Sequence, residues 1–172
     1  MEHNTKTGPF IFAISGVKNS GKTTLLEAII PLLKREGLRV AVIKYDSHDF
    51  VSDVPGTDSR RLFDAGADGI ALYSPYKYML SARKTVGIET LLPHFADADL
   101  VLLEGAKSTA YRKIEIVRRT VSAAPVCDPV TLAALYTDTD CEIAGVPRIP
   151  WGSHEAVAEC VLAELEVYRS KE

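Results

Sequence analysis

The sequence predicts an α/β domain, with a mainly parallel central sheet flanked by helices in three layers. Three observations carry this. Strand-like and helix-like segments alternate along most of the 172 residues. Gly16-Val17-Lys18-Asn19-Ser20-Gly21-Lys22-Thr23 reads G-x-x-x-x-G-K-[ST], set between the apolar run Phe10 to Ile14 and a helix-like run from Thr24 to Ile30. Leu100-Val101-Leu102-Leu103 is apolar throughout and ends on a carboxylate, Glu104.

The elements follow in order. Residues 1–8 are polar, lack the apolar core of a signal peptide, and read as a frayed tail ahead of one domain over 9–172. Phe10 to Ile14 is a buried strand. A helix spans Thr23 to Glu36, with Gly37 as its C′ stop and a kink expected at Pro31, whose ring removes one helical hydrogen bond. Arg39 to Lys44 is the second strand, and Asp46 to Gly56 a loop. Asp58 to Ala65 is a short helix stopped by Gly66. Ile70 to Tyr73 and Tyr76 to Leu80 are strands joined by a turn at Ser74-Pro75. Ile88 to Phe95 is a short helix. Leu100 to Leu103, Ile114 to Val117 and Leu132 to Tyr136 are buried strands. Gly145 to Gly152 reads as a connecting loop, and His154 to Lys171 as an amphipathic closing helix with Ser153 as N-cap. No repeat or linker interrupts the pattern.

Composition narrows the function. Hydrophobic residues make up 47% and charged residues 25%, ordinary globular values. A net charge of -3 argues against general nucleic-acid binding. The three cysteines, Cys127, Cys141 and Cys160, form no C-x-x-C, so they read as reduced cytosolic thiols rather than a zinc or redox pair. No apolar run is long enough to span a bilayer. Together these place the chain in the cytoplasm, away from membranes.

The motif at Gly16 to Thr23 is the phosphate-binding loop of P-loop NTPases. Its glycines permit backbone angles that let successive N–H groups converge on phosphates, helped by the following helix N-terminus. Lys22 reaches the β- and γ-phosphates, and the Thr23 hydroxyl ligates Mg²⁺. Glu104 resembles a Walker B carboxylate, with Glu for the usual Asp, able to hold Mg²⁺ through water. The alternative for Glu104 is a charge that merely caps a strand. Asp46, His48, Asp49 and Asp53 form a ligand-rich loop that can sense a terminal phosphate or can simply be a solvated acidic loop. Lys107, Arg112 and Lys113 are either phosphate contacts or surface cations. Asp138, just past a strand, can accept from guanine N1–H and its exocyclic amine, although no Asn-Lys-x-Asp signature is present.

The combination resembles the MobB family of molybdopterin-guanine dinucleotide biosynthesis adapters over residues 10 to 140. The resemblance rests on Gly16 to Leu25, on Lys44 through Asp53-Val54-Pro55-Gly56-Thr57-Asp58-Ser59, on Ala65-Gly66-Ala67, and on Glu104-Gly105-Ala106-Lys107 with Lys113-Ile114-Glu115. The chain departs from the family's His-rich run, keeping only His48. It has Ala106 where the family has Phe, and Arg112 where it has Pro. The resemblance implies a P-loop GTPase fold and a weakly hydrolysing GTP-binding homodimer. It also implies assistance to the guanylyltransferase that joins GTP to molybdopterin in molybdenum cofactor biosynthesis, with molybdopterin itself a further candidate contact. Carried over residue by residue, it assigns nucleotide contacts to Gly16, Val17, Lys18, Asn19, Ser20, Gly21, Lys22, Thr23 and Thr24, base contact to Asp138, and Mg²⁺ contact to Thr23 and Glu104. Lys22 is the residue expected to stabilise charge on the β–γ bridge.

No clear arginine finger or water-positioning Gln is legible, so the expected enzyme is at most a slow Mg²⁺-dependent GTPase. The guanylyltransferases' own Gly-Gly-x-Ser-x-Arg-Met-Gly loop is absent. The main alternative is a small-molecule or nucleotide kinase using the same P-loop. A metallochaperone GTPase lacks the metal segment it would need, and a nucleotide-free interaction module is opposed by the intact Gly21-Lys22-Thr23.

Overall fold

The structure, a computed structural model, describes residues 8–46, 50–122 and 124–171. The expected tail up to Thr7 and the loop residues His48 and Asp49 lie outside the described residues. The described chain forms two compact units, Met1–Tyr45 with Leu92–Glu172, and Asp46–Leu91.

The first unit is built on a six-stranded, wholly parallel sheet. Its strands are β1 (Phe10–Gly16), β2 (Val40–Lys44), β5 (Leu100–Glu104), β6 (Lys113–Val117), β7 (Leu132–Thr137) and β8 (Arg148–Pro150), in the order β2-β5-β1-β6-β7-β8. Every residue of β5, β6 and β7 is buried, which is why these strands read as apolar runs rather than as alternation. Helices α1 (Lys22–Arg35) and α4 (His154–Arg169) pack into one core with this sheet. Leu25, Leu26, Ile29 and Leu33 of α1 and Val157, Val161 and Leu165 of α4 join Phe10, Phe12 and Ile14 of β1. A second cluster gathers Val117, Cys127, Leu132 and Leu135.

Local chemistry explains most boundaries. Helix α1 stops at Gly37, whose φ of 80° no branched residue would adopt and whose N–H donates to the Lys34 carbonyl. Pro31 sits inside α1 without interrupting it. Ser153 holds the N-cap position of α4, but its side chain makes no capping hydrogen bond. The expected loop from Gly145 to Gly152 contains β8, a three-residue edge strand. Its one inward side chain is Ile149, and Pro147 just before it and Pro150 at its end mask the pattern that would have marked it. No helix among the described residues is long and apolar enough to cross a membrane.

The second unit holds α2 (Asp58–Asp64), the antiparallel hairpin β3 (Gly69–Tyr73) and β4 (Tyr78–Ala82), and the short α3 (Ile88–Leu91). The hairpin turn spans Ser74 to Lys77, closed by the Ser74 N–H on the Lys77 carbonyl. Thr57 caps α2 by accepting from the Arg60 N–H. Asp53 accepts from the Val54 N–H at 2.7 Å and from the Thr57 and Ser59 hydroxyls, which hold its carboxyl below the ordinary range, the Ser59 contact most of all. Asp53 therefore organises a turn within its loop.

Candidate functional site

Strand register brings the site together. Lys44 of β2 and Ile14 of β1 both align with Glu104 of β5, so the three strands end level with one another. Ligands of open α/β sheets bind along this C-terminal edge, where strand order reverses beside β1.

The phosphate loop joins β1 to α1. Gly16 has φ 140°, and a Cβ placed on it would lie 2.8 Å from the Ile116 carbonyl oxygen and 2.8 Å from Ser20 Oγ. Asn19 is left-handed at φ 62°. Gly21, at φ 98°, occupies the N-cap position of α1 and supplies no capping side chain, and no acid occupies the first turn. The first N–H groups of this 14-residue helix thus face the loop with no side-chain acceptor, which favours an anion there. Val17 is half-buried, Lys18 and Asn19 are exposed, and Thr23 and Thr24 are exposed on the first turn. Ser20 Oγ is fully buried and has no hydrogen-bond partner.

Lys22 curls over its own loop, donating to the Val17 carbonyl at 2.7 Å and the Gly16 carbonyl at 3.2 Å. Burial pushes its ammonium pKa down, aided by Lys44 and Lys107 and opposed by Glu104. The Thr23 hydroxyl donates to Glu104 Oε1 at 2.8 Å, and Lys44 Nζ lies 3.2 Å from the same oxygen. Magnesium suits this donor set. It favours hard oxygens and takes few protein ligands, the rest of its shell coming from phosphate and water. Among the described residues no three His, Cys, Asp or Glu side chains cluster as a metal site of another kind.

Asp138 lies at the end of β7, exposed, with Oδ1 accepting from the Arg119 N–H at 2.7 Å. It lines a cavity of about 350 Å³ with Thr137, Thr139, Asp140, Arg148 and Pro150. Three further residues were given no role from the sequence. Trp151, just past β8, donates its backbone N–H to the Thr137 carbonyl, stacks on Tyr136 at 4.7 Å and carries the Arg118 guanidinium 4.3 Å over its ring. Its ring edge reaches the P-loop, since a Cβ on Gly21 would lie 3.4 Å from it. Arg118 Nε is buried without a partner. Lys44 is the third. The signals available were that Trp151 is the chain's one tryptophan and that Lys44 ends a strand as Glu104 does.

The basic stretch after Glu104 divides. Arg112 forms a bidentate ion pair with Glu164 of α4 and donates to the Leu132 carbonyl at 2.8 Å. Lys113 is fully buried, its ammonium held by the carbonyls of Lys107 at 3.2 Å and of Thr109. Of these three, Lys107 is the one whose charge is felt at Lys22. Behind the loop, Glu115 accepts from the Val126 and Cys127 N–H groups at 2.6 and 3.0 Å, and Ser15 donates to the Gly105 carbonyl.

Comparison with known proteins gives a consistent picture. Residues 11–138 match the family model described as molybdopterin guanine dinucleotide synthesis protein B, MobB. The chain is 34% identical over 148 residues to the molybdopterin-guanine dinucleotide biosynthesis adapter protein of Haemophilus influenzae, covering 81% of this chain and 83% of that protein. It is 34% identical over 114 residues to the Escherichia coli protein of the same name, covering 63% of this chain and 65% of that one. Crystallographic Bacillus subtilis MobB superposes with a TM-score of 0.73 at 27% identity, over 89% of this chain and 96% of that one.

Proposed function

The chain belongs to the MobB family, and on that premise we propose that it is a molybdopterin-guanine dinucleotide biosynthesis adapter that binds Mg²⁺–GTP in the P-loop. It hydrolyses the nucleotide slowly and assists a molybdenum cofactor guanylyltransferase. The observation that carries this reading is the meeting of the Thr23 hydroxyl and Glu104 carboxylate 2.8 Å apart at the mouth of a loop with a bare helix N-terminus.

The chain's own residues have distinct tasks. Gly16 to Thr24 present N–H groups to the phosphates, and the buried Ser20 hydroxyl gains the partner it lacks. Lys22 exchanges two backbone carbonyls for phosphate oxygens, whose negative charge favours its ammonium form. Thr23 and Glu104 would hold Mg²⁺, which would supply positive charge against the phosphates. Asp138 reads the guanine edge. Turnover on the order of 10⁻⁴ to 10⁻³ per second suits a P-loop without a finger residue. A kinase is the weaker alternative, because arginines a lid would use are engaged elsewhere, Arg61 on Asp58 and Arg118 on Trp151. The protein works as a homodimer in the cytoplasm.

Calorimetric titration with non-hydrolysable GTP and ATP analogues, each with Mg²⁺, tests this. A preference for GTP of at least about tenfold, abolished binding in Lys22→Ala, and slow turnover are the expected results. Equal affinities would remove Asp138 as base reader and favour the kinase, and binding that survives Lys22→Ala would remove the phosphate loop itself.

A further inference from the structure

Glu104 Oε1 receives two donors at once, the Thr23 hydroxyl at 2.8 Å and the Lys44 ammonium at 3.2 Å. The two differ in their surroundings. Thr23 is fixed on the first turn of α1, while the Lys44 side chain is 54% exposed and hangs on four rotatable bonds from the end of β2. Glu104 is itself buried, so solvent screens its carboxylate only weakly from a second cation. A divalent metal on either oxygen of this carboxylate stands close to the Lys44 ammonium, and the two cations repel one another there. Lys44 and the metal are therefore competitors for Glu104. An ammonium displaced from that oxygen stands at the C-terminal edge of the sheet, beside the loop where the phosphate chain ends, and the added negative charge of a third phosphate is the nearest compensation for it.

We infer that Lys44 is the residue that distinguishes nucleoside triphosphate from diphosphate, resting on Glu104 and passing to the terminal phosphate when metal takes the carboxylate. This rests on the Mg²⁺–GTP reading and adds to it a lysine acting in cis from outside the P-loop. It also links two events. Metal arrival and recognition of the third phosphate become one exchange, because the same side chain takes part in both.

The test compares the unaltered chain with Lys44→Met and Lys44→Arg, titrating each with GDP and with a non-hydrolysable GTP analogue in Mg²⁺, and separately with Mn²⁺ alone. The unaltered chain is expected to prefer the triphosphate analogue. Lys44→Met should lose about tenfold of that preference or more while GDP affinity stays within about twofold, and it should bind Mn²⁺ more tightly. Lys44→Arg should keep the preference. A Lys44→Met chain that retains the preference, or that weakens GDP and the triphosphate equally as a residue merely positioning Glu104 would, overturns the inference and leaves the nucleotide site standing. Absence of binding by the unaltered chain removes the nucleotide reading and this one together.

Discussion

At the scale of single residues, the P-loop is specified by contacts as well as by pattern. Gly16 and Gly37 both have positive φ, but a side chain at Gly37 would meet nothing within 4 Å, whereas one at Gly16 would strike Ile116 O and Ser20 Oγ at 2.8 Å. Gly16→Ala must therefore strain the backbone and push β1 from β6 together. It should lower stability by about 1–3 kcal/mol and destroy nucleotide binding, measured as urea midpoint and calorimetric titration. A variant with unchanged midpoint would mean the loop has slack that the geometry does not suggest. The same scale shows what was legible. Gly16 to Thr23 and Glu104 declare themselves because their meaning lies in neighbouring residues. Arg112 and Lys113 do not, because their partners are distant or backbone: Glu164 is 52 positions away, and the Lys113 ammonium is satisfied by carbonyls of a loop. Lys44 needed strand register, and Trp151 needed a strand too short to recognise.

At the scale of elements, the hairpin β3–β4 is the least self-sufficient part of the fold. Its register pairs Tyr73 with Tyr78 and Ala71 with Leu80, which puts these four side chains on one face. That face is open, with Tyr73 84%, Tyr78 63% and Leu80 58% exposed. A two-stranded sheet is marginal in water without a packed face, and a continuous apolar surface of this kind marks an interface. For the homodimer proposed above, this face is the contact to test. Tyr78→Asp combined with Leu80→Asp should shift the chain to monomer in sedimentation experiments while nucleotide affinity holds, since neither residue belongs to the P-loop unit. A dimer that survives both charges would place the interface elsewhere. The strands themselves were readable as two apolar, aromatic-rich runs around Ser74-Pro75, with the turn two residues longer than expected because Ser74 closes on Lys77. Both faces of the hairpin carry apolar side chains, Ile70, Leu72 and Met79 on the other, so the sequence does not reveal which face is left uncovered.

At the scale of the whole molecule, the parallel sheet was predictable because strands buried on both faces must be apolar throughout, and only alternation with helices supplies the crossovers they need. The compactness of Asp46–Leu91 as a unit was not predictable, since no change of composition marks where the chain enters or leaves it. Burial on this scale also sets how the molecule responds to alkali. Burial, with Glu115 beside it, pushes the Cys127 thiol up to about 12, and burial with nearby Glu164 pushes Cys160 up to about 11. Both folded values exceed the ordinary thiol value of 9.0, so the folded state keeps its protons where the unfolded chain releases them. The stability these thiols contribute is therefore complete below about pH 9 and is lost as pH rises through 11 and then 12. Burial of Tyr136 acts in the same direction, while the depressed Lys22 and Lys113 act in the opposite one, so the thiol contribution must be isolated by difference. The comparison is between the unaltered chain and Cys127→Ala with Cys160→Ala, each unfolded in urea at pH 8 and at pH 10.5. The double variant will start from a lower midpoint because two packed side chains are shortened, but it should lose less between the two pH values. If both chains lose stability in parallel, the thiols ionise in the folded state as easily as in the unfolded one, and the packing around β6 and α4 is more open to water than their burial indicates.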